Sequence, residues 1–236
     1  MPSLLRRSLA EAVGTFALVF IGAGSVASKY FPDASYGFLG IAIAHGLVLA
    51  VMITATMSIS GGHLNPAVTL ALLLKRRTNI SSAIAYIVAQ LAGAVVAALL
   101  LRVIYPGGVA RAVSLGTPSI SSAISLPQAI LVEALLTFFL VSAVFGTLVN
   151  TDAPRVGGFG VGLVLLFDVL VGGPLTGAAA NPARAFGPAL VSGQWVGHIV
   201  YWIGPIVGAL VAALLWEYLL LPRTPLRRRR TDSSTG

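Results

Sequence analysis

The sequence predicts an all-α membrane protein: six transmembrane helices and two re-entrant half-helices, arranged as an inverted repeat. Three observations carry this. The 236 residues are 57% hydrophobic and 9% charged, with a mean hydropathy of +0.93, whereas a soluble domain carries about 25% charged residues. Six apolar windows reach the roughly 20 residues that cross a bilayer. Two further apolar segments are too short to cross, and both open on the same triplet, Asn65-Pro66-Ala67 and Asn181-Pro182-Ala183.

Residues 1–8 form a short cytoplasmic N-terminus bearing Arg6 and Arg7. The span at 9–28 superficially looks like a secretory signal, but its apolar run is about 20 residues, too long for that, and carries Glu11. It is expected to stay uncleaved. Further spans follow at 37–57, 81–104, 127–149, 157–173 and 198–221, the fifth being short and glycine-rich. The segments 65–75 and 181–191 have 11 residues each, about 16 Å of helix at 1.5 Å per residue, half of a bilayer. Residues 9–221 thus form the channel domain, and 222–236 a basic tail with Arg227–Arg230.

In this arrangement Arg6, Arg7, Lys75, Arg76, Arg77, Arg155, Arg223 and Arg227–Arg230 fall on one side, and Lys29, Arg102 and Arg111 on the other. Positive charge marks the cytoplasmic side, so both termini are expected there, in a cell (inner) membrane. The net charge of +8 reads as topology and contact with anionic lipid rather than a nucleic-acid partner. With no cysteine in the chain, disulfides, thiolate metal sites and cysteine nucleophiles are excluded, and thiol reagents should not block it. No metal or cofactor is expected.

The chain repeats itself. The stretch "AEAVGTFALVF" (10–20) matches "VEALLTFFLVS" (132–142), aligning Glu11 with Glu133, and "YIVAQLAGAVVAALLL" (86–101) matches "YWIGPIVGALVAALLW" (201–216). The triplets are 116 positions apart, and Gly46 and Gly162 each precede their Asn by 19. Each copy, about 9–104 and 127–221, holds three spans and one half-span. Three is odd, so the second copy enters the membrane upside down, the architecture of transport proteins.

Asn is a favoured helix N-cap and Pro suits the first helical position. The triplet is therefore a helix start, set at a depth where irregular backbone must be buried in protein or line a watery cavity. Inversion brings the two half-helix N-termini together near the midplane, each with about half a positive charge. Two such ends and two Asn amides would orient passing water oxygens and repel cations and protons.

Residues 5–221, above all "SGGHLNPAVT" (60–69) and "NPARAFGPA" (181–189), resemble the aquaporins, the major intrinsic protein family. The resemblance implies a homotetramer with one pore per subunit. It implies pore-lining carbonyls at Gly61, Gly62 and His63 and at Gly177, Ala178 and Ala179. It also implies, by spacing from the two Asn residues, a selectivity filter of His45, Val169, Ala178 and Arg184. Strict water channels carry an aromatic first and histidine second, so the filter is more similar to that of plant tonoplast intrinsic proteins. Ala185 follows Arg184 where glycerol facilitators typically place Asp, and Tyr201-Trp202 resembles the aromatic pair of water channels. Small apolar Val169 and Ala178 should widen the constriction, while Arg184 excludes cations.

The expected function is a passive water channel that excludes ions and protons, with leakage of small neutral solutes such as ammonia, hydrogen peroxide and urea. A glycerol or small-solute facilitator is the alternative, followed by an ion-coupled transporter, which would need ion-binding carboxylates exposed at the midplane. An enzyme is not expected, because the serines and three histidines show no nucleophile–base or metal spacing. Protonation of His45 on acidification would add a second cation to the filter and make flux pH-dependent. The resemblance further implies that Glu11 and Glu133 accept hydrogen bonds from the loops before the triplets. Asp168, beside Val169, has no partner that the sequence assigns.

Overall fold

The computed structural model describes residues 2–31, 33, 34 and 36–222. Arg223 and Arg227–Arg230, used above for the topology, lie outside the described residues. Among the described residues nine α-helices run α1 Leu4–Ser28, α2 Gly37–Thr56, α3 Pro66–Leu74, α4 Ile80–Ile104, α5 Gly107–Ala112, α6 Leu126–Val144, α7 Phe159–Thr176, α8 Pro182–Ser192 and α9 Val200–Leu215. Single π-turns extend α6 to Val149 and α9 to Leu220. Six helices are long and apolar enough to span a membrane, and α3 and α8 are the two short ones opening on the triplets. The chain is a multi-pass integral membrane protein.

Boundaries shift where local chemistry sets them. The first helix begins at Leu4 because the Ser3 hydroxyl accepts from the Arg6 N–H (3.3 Å), satisfying an otherwise orphaned donor. The fifth span continues through Pro174 to Thr176 and stops at Gly177, whose φ of 81° terminates it. The helix α5 lies in a connection where the sequence reading places none.

The two halves are built alike and interlock. Within each, the first and fourth helices pack closely, α1 on α4 and α6 on α9. The contact is close because Gly93 meets the Ala12 carbonyl and Gly208 the Ala134 carbonyl; a Cβ at either position would overlap that oxygen. Between halves, α2 crosses α7 at Gly46 and Gly162, and each half-helix packs against the other half's last span, α3 on α9 and α8 on α4. Small residues at crossings let backbones approach, the dominant packing device in lipid. Large apolar side chains such as Leu99, Phe139, Phe167 and Val207 face outward, as a lipid solvent favours.

Candidate pore

Each triplet starts its half-helix as capping chemistry dictates. The Asn65 Oδ1 accepts from the Ala67 N–H (2.9 Å), and the Asn181 Oδ1 from Ala183 (3.0 Å) and Arg184 (3.3 Å). Pro66 and Pro182 occupy the first turn, where no N–H is needed. The two N-termini are tied across the repeat axis: Asn65 Nδ2 donates to the Ala180 carbonyl (2.8 Å) and Asn181 Nδ2 to the Leu64 carbonyl (2.9 Å). An amide nitrogen carries two hydrogens, so each Asn keeps one for the cavity that it lines.

The approach segments are strained in register. Gly62 and Ala178 have φ of 64° and 46°, and Leu64 and Ala180 have 49° and 46°. A left-handed conformation costs a non-glycine residue roughly 1–2 kcal/mol. The buried carboxylates offset it. Glu11 accepts from Ser60 Oγ (2.6 Å), the His63 N–H (3.0 Å), the Leu64 N–H (2.6 Å) and Gln90 Nε2 (2.8 Å). Glu133 accepts from Thr176 Oγ1 (2.6 Å), the Ala179 N–H (3.0 Å) and the Ala180 N–H (2.8 Å). Tyr86 and Tyr201 complete each brace by donating to the Ser60 and Thr176 carbonyls, both at 2.8 Å. With N–H groups turned inward to the carboxylates, no described residue donates to the carbonyls of Gly61, Gly62, His63, Gly177, Ala178 or Ala179.

Between the half-helices lies a narrow enclosed cavity. Its polar lining comes from Asn65, Asn181, His45, His63 and Arg184, and its apolar lining from Leu18, Leu49, Ile53, Val68, Leu140, Val144, Val161, Leu165 and Ala179. The volume open to the centre of a water-sized sphere is only about 10 Å³, room for one water at a time. A few hydrogen-bonding groups in an otherwise apolar lining suit a small polar solute that makes few bonds as it passes.

At one end His45 and Arg184 close on each other, with Arg184 Nη2 3.3 Å from His45 Nε2. His45 Nδ1 lies 2.9 Å from the Ile41 carbonyl, an acceptor, so Nδ1 carries the hydrogen and Nε2 accepts from Arg184. Arg184 Nη1 donates to the Gly116 carbonyl (2.8 Å), delivered by a left-handed run at Ser114, Leu115 and Gly116. Gly22 gives the imidazole its room: a Cβ there would lie 2.6 Å from Nε2. Val169 and Ala178 are buried in the apolar core with Leu136 and Leu140 and do not line the enclosed stretch, so only His45 and Arg184 of the four spaced residues meet directly. Gly61 and His63 line the opposite mouth, while Gly62 and Gly177 line neither cavity described here. Asp168 is buried, its Oδ2 without a hydrogen-bond partner among the described residues, and His45 is engaged elsewhere.

Sequence reasoning gave no bracing role to Ser60, Thr176, Tyr86 or Tyr201, the last noted only as part of an aromatic pair, and missed Gln90, Gly22 and Gly116. The first four were findable: the two tyrosines align in the repeat, and Ser60 and Thr176 share the triplets' offset of 116. Nothing local marks Gly116, which acts through a contact 68 residues away.

The family model described as "Major intrinsic protein" matches residues 1–216. The chain is 41% identical over 234 residues to the probable aquaporin TIP3-2 of Arabidopsis thaliana, covering 94% of this chain and 86% of that one. It is 41% identical over 243 residues to aquaporin TIP4-4 of Zea mays, covering 97% and 93%. Its fold is similar to the X-ray structure of the aquaglyceroporin from Plasmodium falciparum, with a TM-score of 0.83 and 26% identity over 92% of this chain and 97% of that one.

Proposed function

The chain belongs to the major intrinsic protein family, and on that premise we propose that it is a passive water channel excluding ions and protons. The observation that carries the proposal is the narrow, water-sized cavity lined by both capping asparagines. A water moving past Asn65 and Asn181 is held by its oxygen between two helix N-termini, so its hydrogens point away from the centre and the chain of hydrogen bonds a proton would follow reverses there. Arg184 supplies a fixed positive charge where the pathway narrows against His45.

In this proposal His45, Val169, Ala178 and Arg184 form the filter, and the free carbonyls of both approach segments complete the polar lining. Small neutral solutes such as ammonia, hydrogen peroxide and urea leak through in the same proposal. The alternative is a glycerol or small-solute facilitator. The proposal includes a homotetramer with cytoplasmic termini. Location in a cell membrane rests on topology alone; the similar plant proteins are tonoplast intrinsic proteins and lend it no support. No catalytic role is proposed.

Stopped-flow swelling of proteoliposomes with water, glycerol, urea and ammonia side by side tests the function. Water permeability well above that of empty vesicles, with glycerol slower than water, is expected. Permeability equal to that of empty vesicles would overturn the proposal, and glycerol matching water would favour the facilitator. Val169→His should narrow the filter and lower the urea-to-water ratio.

A further inference from the structure

A second cavity, of about 610 Å³, opens on the face where the chain begins, between the start of α1, the end of α3 and the start of α4. His63 lines both this cavity and the enclosed channel, so it is the channel's antechamber. Arg7, Arg76 and Arg77 line it, and no Asp or Glu does among the described residues. Arg77 pairs at 3.0 Å with Glu217. Arg7 lies over the Tyr86 ring, 5.9 Å from its centroid, and its Nε is buried without a hydrogen-bond partner among the described residues. Arg76 holds a φ of 55°, a left-handed conformation that arginine rarely adopts.

The start of α4 adds donors of the same sign. Asn79 lines the cavity and caps the 25-residue helix by accepting from the Ser82 N–H (2.8 Å). No described residue accepts from the Ile80 or Ser81 N–H. Topological charge sits on a rim and contacts lipid. Here, instead, a half-buried arginine and two neighbours crowd the entrance to a path for neutral solutes, which needs none of them.

We propose that this antechamber binds a phosphate-bearing anion and that the bound anion shuts the water path. Guanidinium forks match phosphate oxygens in pairs, and a helix N-terminus adds directed N–H donors. A pyrophosphate-sized group spanning Arg7 and Arg76 would rest over His63 and cover the opening. The gating half rests on the water-channel proposal, but the binding half does not.

The probe is inorganic pyrophosphate, titrated calorimetrically into the full chain in detergent, with Arg7→Gln and Arg76→Gln as variants. Wild type should bind it, and each variant about tenfold more weakly, the loss of one charge-assisted contact. In phosphatidylcholine vesicles with pyrophosphate on both faces, wild-type water flux should fall with occupancy while Arg76→Gln keeps its uninhibited flux. If the phosphate comes from lipid, phosphatidylglycerol vesicles should show lower wild-type flux, restored by Arg76→Gln, with a soluble short-chain phosphatidylglycerol displacing pyrophosphate in detergent. Absence of pyrophosphate binding to wild type, or equal binding by both variants, overturns the site. Binding that leaves flux unchanged overturns the gate. Flux equal to empty vesicles without any anion sinks the water-channel proposal and leaves calorimetry to judge the site.

Discussion

Replacing Glu133 with glutamine keeps the shape of the brace and removes one acceptor. The carboxylate holds Thr176 Oγ1 and the Ala179 N–H on one oxygen and the Ala180 N–H on the other. Glutamine can keep the first pair, but its NH₂ then faces the Ala180 N–H, donor against donor. A buried orphan of that kind costs about 1–3 kcal/mol, and each surviving bond loses its charge assistance, about 1 kcal/mol apiece. The total is about 3–5 kcal/mol, or roughly 10 °C of melting temperature for a chain of this size. Glu11→Gln should cost less. Its amide would face Leu64 and Gln90, and Gln90 Oε1, buried without a partner among the described residues, can turn toward it and recover part of the loss. Melting followed by tryptophan fluorescence, with water permeability measured in parallel, checks both. The reasoning fails if Glu133→Gln melts with wild type and conducts normally, or if Glu11→Gln is the more damaged.

Gly22→Ala should lower water permeability, because its Cβ would lie 2.6 Å from His45 Nε2 and overpacking of this kind costs about 1–3 kcal/mol; Gly108→Ala, with open space around it, is the control expected to be silent. Asp168→Val should raise the melting temperature by roughly 2–4 °C, about 1 kcal/mol, by removing a buried carboxyl oxygen that has no hydrogen-bond partner among the described residues, and a loss of water flux instead would give Asp168 a pore role. His198, at the entrance to α9, accepts from Trp202 Nε1 (3.1 Å), and burial lowers its pKa below 6.5. The unfolded chain therefore takes up that proton first, so this contribution to stability is present above pH 6.5 and lost as pH falls below it; melting curves at pH 7.5 and 5.0 should converge more closely in His198→Gln than in wild type.

The helices and half-helices were legible because lipid leaves few alternatives: an apolar run must be helical, and a capping triplet at bilayer depth must face something polar. The two asparagines were legible for the same reason. What the sequence hid is the support around them. Gly22 and Gly116 act through absence of bulk and through a carbonyl, neither of which leaves a pattern along the chain. Gln90 carries no signal along the chain, and only the fold brings it to Glu11. Asp168 stayed unexplained at both levels, its Oδ2 buried and unpaired. The ends of α1 and α7 moved because single caps, Ser3 and Gly177, outweigh hydropathy in setting a boundary.

Repeat symmetry separates construction from selectivity. At the constant offset of 116 between the triplets, Ser60 pairs with Thr176, Leu64 with Ala180 and Asn65 with Asn181, while the two carboxylates that brace them, Glu11 and Glu133, pair at an offset of 122. These are the residues that fold and cap the two half-helices, and each half needs its own set. The same offset maps His45 to Val161, Val169 to Ile53 and Arg184 to Val68, and all three counterparts are apolar. Val161, Ile53 and Val68 line the same cavity. Of the two positions the repeat relates, only the one at His45 and Arg184 carries the side chains of the proposed filter. A barrier at the centre requires both halves to be alike, since two N-termini must oppose one another. A charged constriction does not: a second fixed arginine in single file would add another site at which water must exchange its hydrogen bonds. Symmetry is kept where the two halves meet and broken where one arginine is enough.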